Sequence, residues 1–581
     1  MEIGPNLEKD RFKLIKELLV QIYSTSDALK AYECILDLID KYREKIETQP
    51  YVLTQKDVIL ITYGNQIFHE EETALATLKR FLDEYVEDYI NTVHILPFYP
   101  FSTDDGFSIV NYKGVCPQKG SWRDIQSLRK DHRLMFDGVI NHMSHLSSWF
   151  NKFLANDPKY LEYFIELDPS TDLSAVVRPR TTPLLNEFTD DEGKKRSVWT
   201  TFSRDQVDLN YANYKVLIRI LDVLLFYVEK GASLLRLDAI AFIWKEVGTS
   251  CVHLPQTHAL IQLMRQIIHE VAPEVLIITE TNVPHDENIS YFGEGDDEAQ
   301  MVYNFALPPL LAFSILKGDC VKLTQWSKTL QLPSDKVCFF NFTASHDGVG
   351  LRAVSEILDQ DEINFLVDSC LEHGGLVSYR AMGGKDDEEK APYELNCSYI
   401  DILTHPETDQ VLRAKRMMLS QAVTLTMPGV PGIYFHSLVG SQSYYEGSKK
   451  TRRNRAINRE KLNFDNIKEE LAEENGLRNN IFKRYKQLLS IRTNEKSFDP
   501  YSSFEVLDFH PQVFAMKHFS TEKDEYIITL YNFSDKNIEL DISFSSDEEL
   551  LEIITHKLYD TKQFTIEPFG ILWLKQQPAS N

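Results

Sequence analysis

The feature that most restricts the fold of this 581-residue chain is a series of eight short, almost continuously apolar segments. Segments of this kind are typical of strands that are buried on both faces of a parallel sheet. Helical patterns, among them Val216–Lys230 and His258–Val271, lie between some of them. Eight such strand–helix units predict an α/β fold, a (β/α)8 TIM barrel with long insertions. The segments are Val58–Tyr63, Val93–Phe98, Leu134–Asn141, Ser233–Ala239, Val275–Glu280, Met301–Phe305, Cys338–Ser345 and Gly432–His436.

The remaining sequence divides the chain into further regions. Residues 143–210 are too long for an ordinary loop and predict a B domain inserted after the third strand. Short alternating strands predict an antiparallel β domain near the C-terminus, namely Val513–His518, Tyr526–Phe533, Ile538–Phe544, Phe564–Glu567 and Ile571–Leu574. The charged run Lys385–Lys390 favours a solvated loop. The predicted regions are 1–50, an N-terminal helical extension; 51–142 and 211–497, the two parts of the catalytic barrel, with a long loop insertion at about 358–403; 143–210, the B domain; and 498–581, the C-terminal β domain.

Composition excludes several classes of partner. Lysine and arginine number 62 and aspartate and glutamate 87, which gives a net charge of −25. Such a charge argues against nucleic acid and anionic membranes, since both are polyanions. No apolar run approaches the roughly 18 residues of a membrane span, and the N-terminus has no signal-peptide pattern. Seven cysteines without a CxxC pair favour a reducing cytoplasm.

Polar and ionisable residues follow the predicted strands at their C-terminal ends. Asp137 and His142 close the third strand, Asp238 the fourth and Glu280 the fifth, while Asp347 follows the seventh. One charge there is ordinarily a cap or a loop ion pair. Four acids at four strand ends are better explained by catalysis, because a TIM barrel carries its active site at this rim.

Acids around one barrel mouth suit glycosyl transfer, in which one carboxylate attacks and one protonated acid serves the leaving oxygen. Arg236 and Asp238 are two residues apart on a strand and therefore share a face. We expect the guanidinium to lower the pKa of Asp238 and keep it ionised as a nucleophile. Glu280 follows an apolar run, so burial is expected to raise its pKa and keep it protonated as the general acid. The residues alone leave this division of roles open.

These strand ends resemble, in order, the four signature regions of the α-amylase superfamily. The matching residues are Asp137–His142 (DGVINH), Arg236–Asp238 (RLD), Glu280 and His346-Asp347. The resemblance implies the barrel, the B domain and the C-terminal β domain. It also implies Asp238 as nucleophile, Glu280 as general acid/base and Asp347 as transition-state stabiliser. His142, Arg236 and His346 would contact the donor sugar or orient the acids.

Further segments are similar to the sucrose phosphorylase branch of that superfamily. They are His94–Phe107 (HILPFYPFSTDDGF), Gly248–Cys251 (GTSC), Phe305–Leu310 (FALPPL), Pro428–Tyr434 (PGVPGIY) and Asn454–Arg459 (NRAINR). The likeness implies that Asp104 and Arg455 bind the terminal hydroxyls of glucose and that Phe107 lines the donor site. Arg180 lies where that branch forms its acceptor and phosphate site.

Within the branch, the chain most resembles the glucosylglycerate phosphorylases. The likeness lies in the N-terminal extension, in Leu173–Leu185 (LSAVVRPRTTPLL), and in Thr279–Pro284 (TETNVP) followed by Phe292–Val302 (FGEGDDEAQMV). It implies a retaining phosphorylase that converts 2-O-α-glucosylglycerate and inorganic phosphate to α-glucose 1-phosphate and D-glycerate. Sucrose 6-phosphate phosphorylase and sucrose phosphorylase are the alternatives. A hydrolase or transglucosidase would use the same acids, and a non-catalytic binding barrel is a remote alternative.

Metal and cofactor signals are weak. His142 and His145 lack the HExxH helix of zinc proteases, and no GxGxxG follows a strand. Asn141 corresponds to a calcium-binding position in many α-amylases, but the sucrose phosphorylase branch generally works without that calcium. We therefore predict no metal and no cofactor. Whether the chain is a monomer or a homo-oligomer is left open.

Overall fold

A closed barrel of eight parallel strands forms the centre of the computed structural model, which describes residues 5–47, 49–381, 390–522, 525–542 and 549–576. Every predicted apolar segment overlaps one of its strands, so the TIM-barrel prediction is confirmed. In chain order the barrel strands are Ile59–Tyr63, Thr92–Leu96, Arg133–Gly138, Ala232–Leu237, Leu276–Thr279, Met301–Tyr303, Cys338–Phe342 and Val430–Tyr434.

Helices surround the barrel and cover the outer face of its strands. The two helical patterns recognised in the sequence correspond to helices α6 and α7, which bury their apolar faces. The described α-helices are α1 Pro5–Ile22, α2 Thr25–Arg43, α3 Ala74–Tyr85, α4 Trp122–Leu128, α5 Ser148–Leu154, α6 Tyr214–Glu229, α7 Pro255–Val271, α8 His285–Ile289, α9 Leu307–Lys317, α10 Val321–Ser327, α11 Gln360–Glu372, α12 Tyr399–Leu403, α13 Gln410–Thr426, α14 Phe435–Leu438, α15 Tyr445–Thr451, α16 Phe464–Ala472 and α17 Leu477–Arg492. None of them combines the length and apolar character needed to cross a bilayer.

Two long insertions follow barrel strands at the C-terminal rim of the barrel. Between the third and fourth strands, His142–Ser144 pairs with Gln206–Asp208, and Leu185–Thr189 pairs with Lys195–Trp199. Between the seventh and eighth strands, Leu376–Ala381 and Lys390–Asn396 form an antiparallel hairpin; Val349–Gly350 also pairs with its second strand. The charged run predicted as a solvated loop lies outside the described residues, except for Lys390, which begins a strand.

The C-terminal region forms an antiparallel sheet, as predicted. The sequence missed three of its strands, Phe504–His510, Glu549–Glu552 and Lys557–Asp560. Most of their side chains are exposed or half-buried, so their apolar pattern is weak. The other strands of this region are Val513–Phe519, Tyr526–Asn532 and Ile571–Gln576 in the same sheet, and Ile538–Leu540 with Phe564–Ile566 as a separate pair.

Helices α1 and α2 pack on the outside of the barrel against α7 and α6. Arg11 of α1 forms an ion pair with Glu270 of α7 at 2.7 Å. The Tyr42 hydroxyl of α2 donates to the Asp222 carboxylate of α6 at 2.9 Å. The N-terminal helices therefore extend the outer helical layer rather than reaching the barrel mouth.

A single buried arginine joins the base of the barrel to its neighbours. The Arg492 side chain at the end of α17 is 1% exposed and donates only to backbone carbonyls among the described residues. These carbonyls belong to residues before the first strand, at the end of α13, before the eighth strand and before the C-terminal sheet. They are Gln55, Asp57, Leu425, Gly429 and Phe498.

Replacing Arg492 with methionine should destabilise the protein by about 3–5 kcal/mol, because several buried carbonyls would lose their donor together. Arg484→Met on the same helix is the matched control, since Arg484 is exposed. The free energy of unfolding, measured by urea denaturation, distinguishes them. Equal stability of the two variants would contradict the bridging role of Arg492.

Candidate active site

One cavity at the C-terminal rim of the barrel brings together nearly all of the predicted site residues. Arg236 is the exception, and it lies directly beneath the cavity floor. The cavity is lined by Asp104, Phe107, His142, Arg180, Asp238, Glu280, His346, Asp347 and Arg455 from the prediction.

The sheet itself positions two of the acids. Asp238 follows the fourth barrel strand, and its amide donates to the Gly138 carbonyl of the third at 3.1 Å. The amide of Glu280 donates in the same way to the Leu237 carbonyl at 3.2 Å. Each acid is thus the last residue held by the parallel ladder. The Glu280 carboxylate also accepts from the backbone amide of Ala239 at 3.0 Å, which draws it towards Asp238.

Arg236 connects the acids from below. Its side chain is 2% exposed, and its guanidinium binds Asp137 and also Asp238, the latter at 2.8 Å. A second nitrogen lies 3.8 Å from Glu280. Asp137 is held in turn by His94 at 2.8 Å. One buried cation therefore faces three carboxylates at once.

The two central acids have raised pKa values. Burial raises the pKa of Glu280 to about 7. Arg236 lowers this pKa, whereas the nearby charges of Asp238 and Asp347 raise it further. Burial also raises the pKa of Asp238 to about 6. Arg236 does lower this pKa, as predicted, but burial outweighs the guanidinium and the net shift is upward. The guanidinium is also shared with Asp137, whose charge raises the pKa of Asp238.

Asp347 has the opposite electrostatic character. Burial would raise its pKa, but the cations Arg455 and Arg459, with His346 beside them, hold the pKa of this carboxyl well below its usual range. Arg455 forms a direct ion pair with it, and Arg459 lies 3.6 Å away. The cavity thus holds one permanently ionised acid beside two acids that titrate near neutral pH.

A second group of side chains closes one end of the cavity. The rings of Phe107 and His346 stack at 4.5 Å and are nearly parallel. The His142 Nε2 atom lies 3.0 Å from the Phe107 carbonyl, to which its N–H form donates, and the Gln206 amide donates to the same carbonyl at 3.2 Å. Burial lowers the pKa of both histidines, so both are neutral near pH 7.

Arg180 lies on the other side of the cavity, in the segment between the third and fourth strands. Its guanidinium lies 5.1 Å from the Tyr393 ring and 6.0 Å from the Phe202 ring. The nearest carboxylate, Glu394, is 3.9 Å away and already binds Arg455 through both oxygens. Arg180 is therefore a cation with little neutralisation and a side chain only 26% exposed.

This arrangement occurs in a chain with clear relatives. The family model for the alpha amylase catalytic domain matches residues 84–363. The glucosylglycerate phosphorylase of Spirochaeta thermophila is 45% identical over 92% of this chain and 90% of its own. That of Escherichia coli is 41% identical over 92% of this chain and 96% of its own.

The chain belongs to the glucosylglycerate phosphorylase family. The resemblance seen in the sequence is thereby confirmed. A crystal structure of sucrose 6F-phosphate phosphorylase from Thermoanaerobacter thermosaccharolyticum superimposes with a TM-score of 0.73. It is 22% identical and covers 89% of this chain and 99% of its own, which shows the shared fold.

The structure of this glucosylglycerate phosphorylase family member also contains site residues that sequence reasoning missed. Arg459 contacts Asp104 at 3.2 Å. It stands in the NRAINR motif, of which the sequence analysis singled out only Arg455. Tyr393 and Glu394 line the cavity from the hairpin between the seventh and eighth strands. No motif marked them, because a lone acid in an insertion carries no signal.

A lysine stands at the calcium-binding position of the family's amylase relatives. The Lys245 ammonium lies 2.6 Å from the Asn141 amide oxygen and 2.6 Å from the Asp208 carboxylate. Its side chain is 3% exposed. A bound Ca²⁺ would need these same oxygens and would be repelled by the ammonium. Elsewhere among the described residues, no cluster of three His, Cys, Asp or Glu side chains could hold a metal ion.

Treatment with EDTA should accordingly leave the activity and the melting temperature unchanged, because Lys245 supplies the positive charge at this position. Both quantities are measured before and after chelation, and again after addition of Ca²⁺. Loss of activity on chelation, restored by Ca²⁺, would show that Asn141 retains a metal-binding role.

Proposed function

We propose that the protein is a retaining phosphorylase that converts 2-O-α-glucosylglycerate and inorganic phosphate reversibly to α-D-glucose 1-phosphate and D-glycerate. The main support for this proposal is that one cavity contains two acids with raised pKa values and an arginine whose charge is only weakly neutralised. The acids suit glucosyl transfer, and the arginine suits an anionic acceptor. The family relationship supports the same substrates.

In the first half-reaction, an Asp238 carboxylate oxygen attacks the anomeric carbon and the bond to the glycerate oxygen breaks. Glu280 gives its proton to that oxygen. The product is a β-glucosyl ester of Asp238. Asp347, held ionised by its arginines, would stabilise the positive charge that develops on the sugar ring.

In the second half-reaction, an oxygen of hydrogen phosphate attacks the same carbon from the side that glycerate has left. The ester bond to Asp238 breaks, α-glucose 1-phosphate forms, and the phosphate's proton passes to Glu280, which restores the acid. Two inversions give net retention. Phosphate is already a nucleophile at neutral pH, so the protein mainly supplies an anion site, and we assign Arg180 to it.

The hydrolase or transglucosidase alternative uses the same acids but water or a sugar as acceptor. A non-catalytic barrel would have no need to keep three acids around one cavity. The reaction is tested with α-glucose 1-phosphate and a panel of glycerate, fructose, fructose 6-phosphate and glycerol. Phosphate release should be fastest with glycerate. Hydrolysis without phosphate dependence would contradict the phosphorylase proposal.

Glu280→Gln should lose several orders of magnitude of activity on glucosylglycerate and much less on α-glucosyl fluoride. Fluoride leaves without protonation, so it bypasses the acid but still needs the nucleophile. Asp238→Asn is the matched variant and should be inactive on both donors. Single-turnover rates on each donor separate the roles. An equal loss on both donors for Glu280→Gln would argue against its role as the acid.

The pH profile of kcat/KM for glucosylglycerate should be a narrow bell, because the pair titrates at about 6 and about 7. Activity falls below about pH 6 as Asp238 becomes protonated and above about pH 7 as Glu280 loses its proton. With α-glucosyl fluoride the alkaline decrease should disappear and the acid decrease should remain. An alkaline decrease that is the same for both donors would contradict the assignment.

Arg180→Ala should raise KM for phosphate and for glycerate about 10- to 150-fold, the value of a charge-assisted hydrogen bond of about 1.5–3 kcal/mol. Hydrolysis of the glucosyl-enzyme by water should change little. Arg178→Ala is the control, since Arg178 binds the Thr182 carbonyl at 2.8 Å and does not line the cavity. Unchanged KM values for both anions would exclude Arg180 as the acceptor cation.

A further inference from the structure

The turn that carries Asp104 adopts an unusual backbone conformation. Asp104, Asp105 and Gly106 have φ values of 56°, 53° and 130°, so three consecutive residues lie in the region that favours glycine. A Cβ on Gly106 would lie 2.4 Å from the Pro97 carbonyl oxygen, so only glycine fits there. A run of such residues is maintained only when its surroundings hold it in place.

Side-chain contacts hold the carboxylates and the start of the turn. Arg459 binds the carboxylates of Asp104 and Asp105 at 3.2 and 2.9 Å. Just before the turn, the Ser102 hydroxyl donates to the Asp205 carboxylate at 2.6 Å, and Thr103 binds the same carboxylate. These contacts fix where the polar groups point, but they do not hold the backbone of the turn to the barrel.

Lys119 makes that backbone connection. Its ammonium donates to the Pro97 carbonyl at 2.7 Å, just beyond the second barrel strand, and lies 3.5 Å from the Asp105 carbonyl. The side chain is 2% exposed, with the faces of Phe101 and Tyr63 at 5.1 and 5.6 Å. No carboxylate forms an ion pair with it among the described residues.

The backbone of Lys119 is itself anchored. Its amide donates to the Cys116 carbonyl at 2.8 Å, and its carbonyl accepts from the Leu75 amide at the start of α3 at 2.9 Å. A buried ammonium that binds only carbonyls is costly, and a chain would replace it with an apolar side chain if filling space were its only purpose. The ammonium lies between the end of the second barrel strand and the turn, and its contacts with a carbonyl on each side give this buried lysine a structural role.

The geometry points to Lys119 as a positioning residue for the donor sugar, which acts by holding the backbone of the Asp104–Gly106 turn against the barrel. Through the turn it fixes Asp104, which lines the cavity. This inference rests on the proposed function for the assignment of Asp104 to the glucosyl group. It adds a residue that touches no substrate and that no motif indicated.

Lys461 provides a matched comparison. Its Nζ is also buried and lies 3.9 Å from the centre of the same Tyr63 ring. It forms no hydrogen bond with any described residue. Removal of Lys461 therefore takes away a buried amine near the same ring and near Asp105 without breaking a hydrogen bond to the turn.

The test measures kcat and KM for hydrolysis of α-glucosyl fluoride by Lys119→Met and Lys461→Met, each alone and combined with Asp104→Ala. Lys119→Met should raise KM about 10-fold or more, as expected for a lost hydrogen bond from a charged group. Lys461→Met should change KM by less than about 3-fold, within the range of a contact without a hydrogen bond. In the Asp104→Ala background the effect of Lys119→Met should largely disappear, because Lys119 acts through Asp104.

An unchanged KM in Lys119→Met, an equal effect of Lys461→Met, or the same fold-change in both backgrounds would overturn the proposal. Circular dichroism identifies a variant that fails to fold. In that case Lys119→Gln takes its place, since its shorter side chain cannot reach both carbonyls, and an unchanged KM again contradicts the proposal. Fluoride hydrolysis needs neither phosphate nor glycerate, so the result stands even if the phosphorylase assignment fails.

Discussion

The Arg236 guanidinium is the interaction on which the rest of this site depends. Three carboxylates at the ends of three neighbouring barrel strands converge on it, and their side chains are 0%, 11% and 14% exposed for Asp137, Asp238 and Glu280. Without a cation beneath them, acids so close together would repel each other and take up protons. With it, the barrel can hold Asp238 and Glu280 close enough for a shared reaction and still leave both able to titrate near neutral pH.

The same principle extends outward from the barrel. Although the chain carries a net charge of −25, its internal acids are matched by buried arginines, with Arg455 and Arg459 around Asp347. These arginines come from a segment after the eighth strand, and Glu394 comes from an inserted hairpin. The barrel supplies the central acids together with Arg236, whereas the segments outside the barrel strands supply the cations around Asp347 and part of the cavity wall.

Much of this could be predicted from the sequence, and the misses have physical causes. The barrel strands are apolar on both faces, so a local pattern reveals them, and the acids Asp238 and Glu280 follow directly. Tyr393 and Glu394 reach the cavity only because a hairpin folds back over the rim, and no local pattern records a contact between distant segments. The net upward shift of the Asp238 pKa is missing from the sequence analysis for a similar reason. The sequence shows Arg236 two residues away but not that Asp137 shares its charge.

Lys245 gives this molecule a counterion that cannot dissociate. A metal at the position between Asn141 and Asp208 would contribute according to the concentration of free ion, and the junction of barrel and insertion would weaken whenever that ion became scarce. A lysine in the same place is present at fixed stoichiometry from synthesis onward. The contact between the barrel and the insertion at Asn141 and Asp208 therefore does not depend on the concentration of a free metal ion.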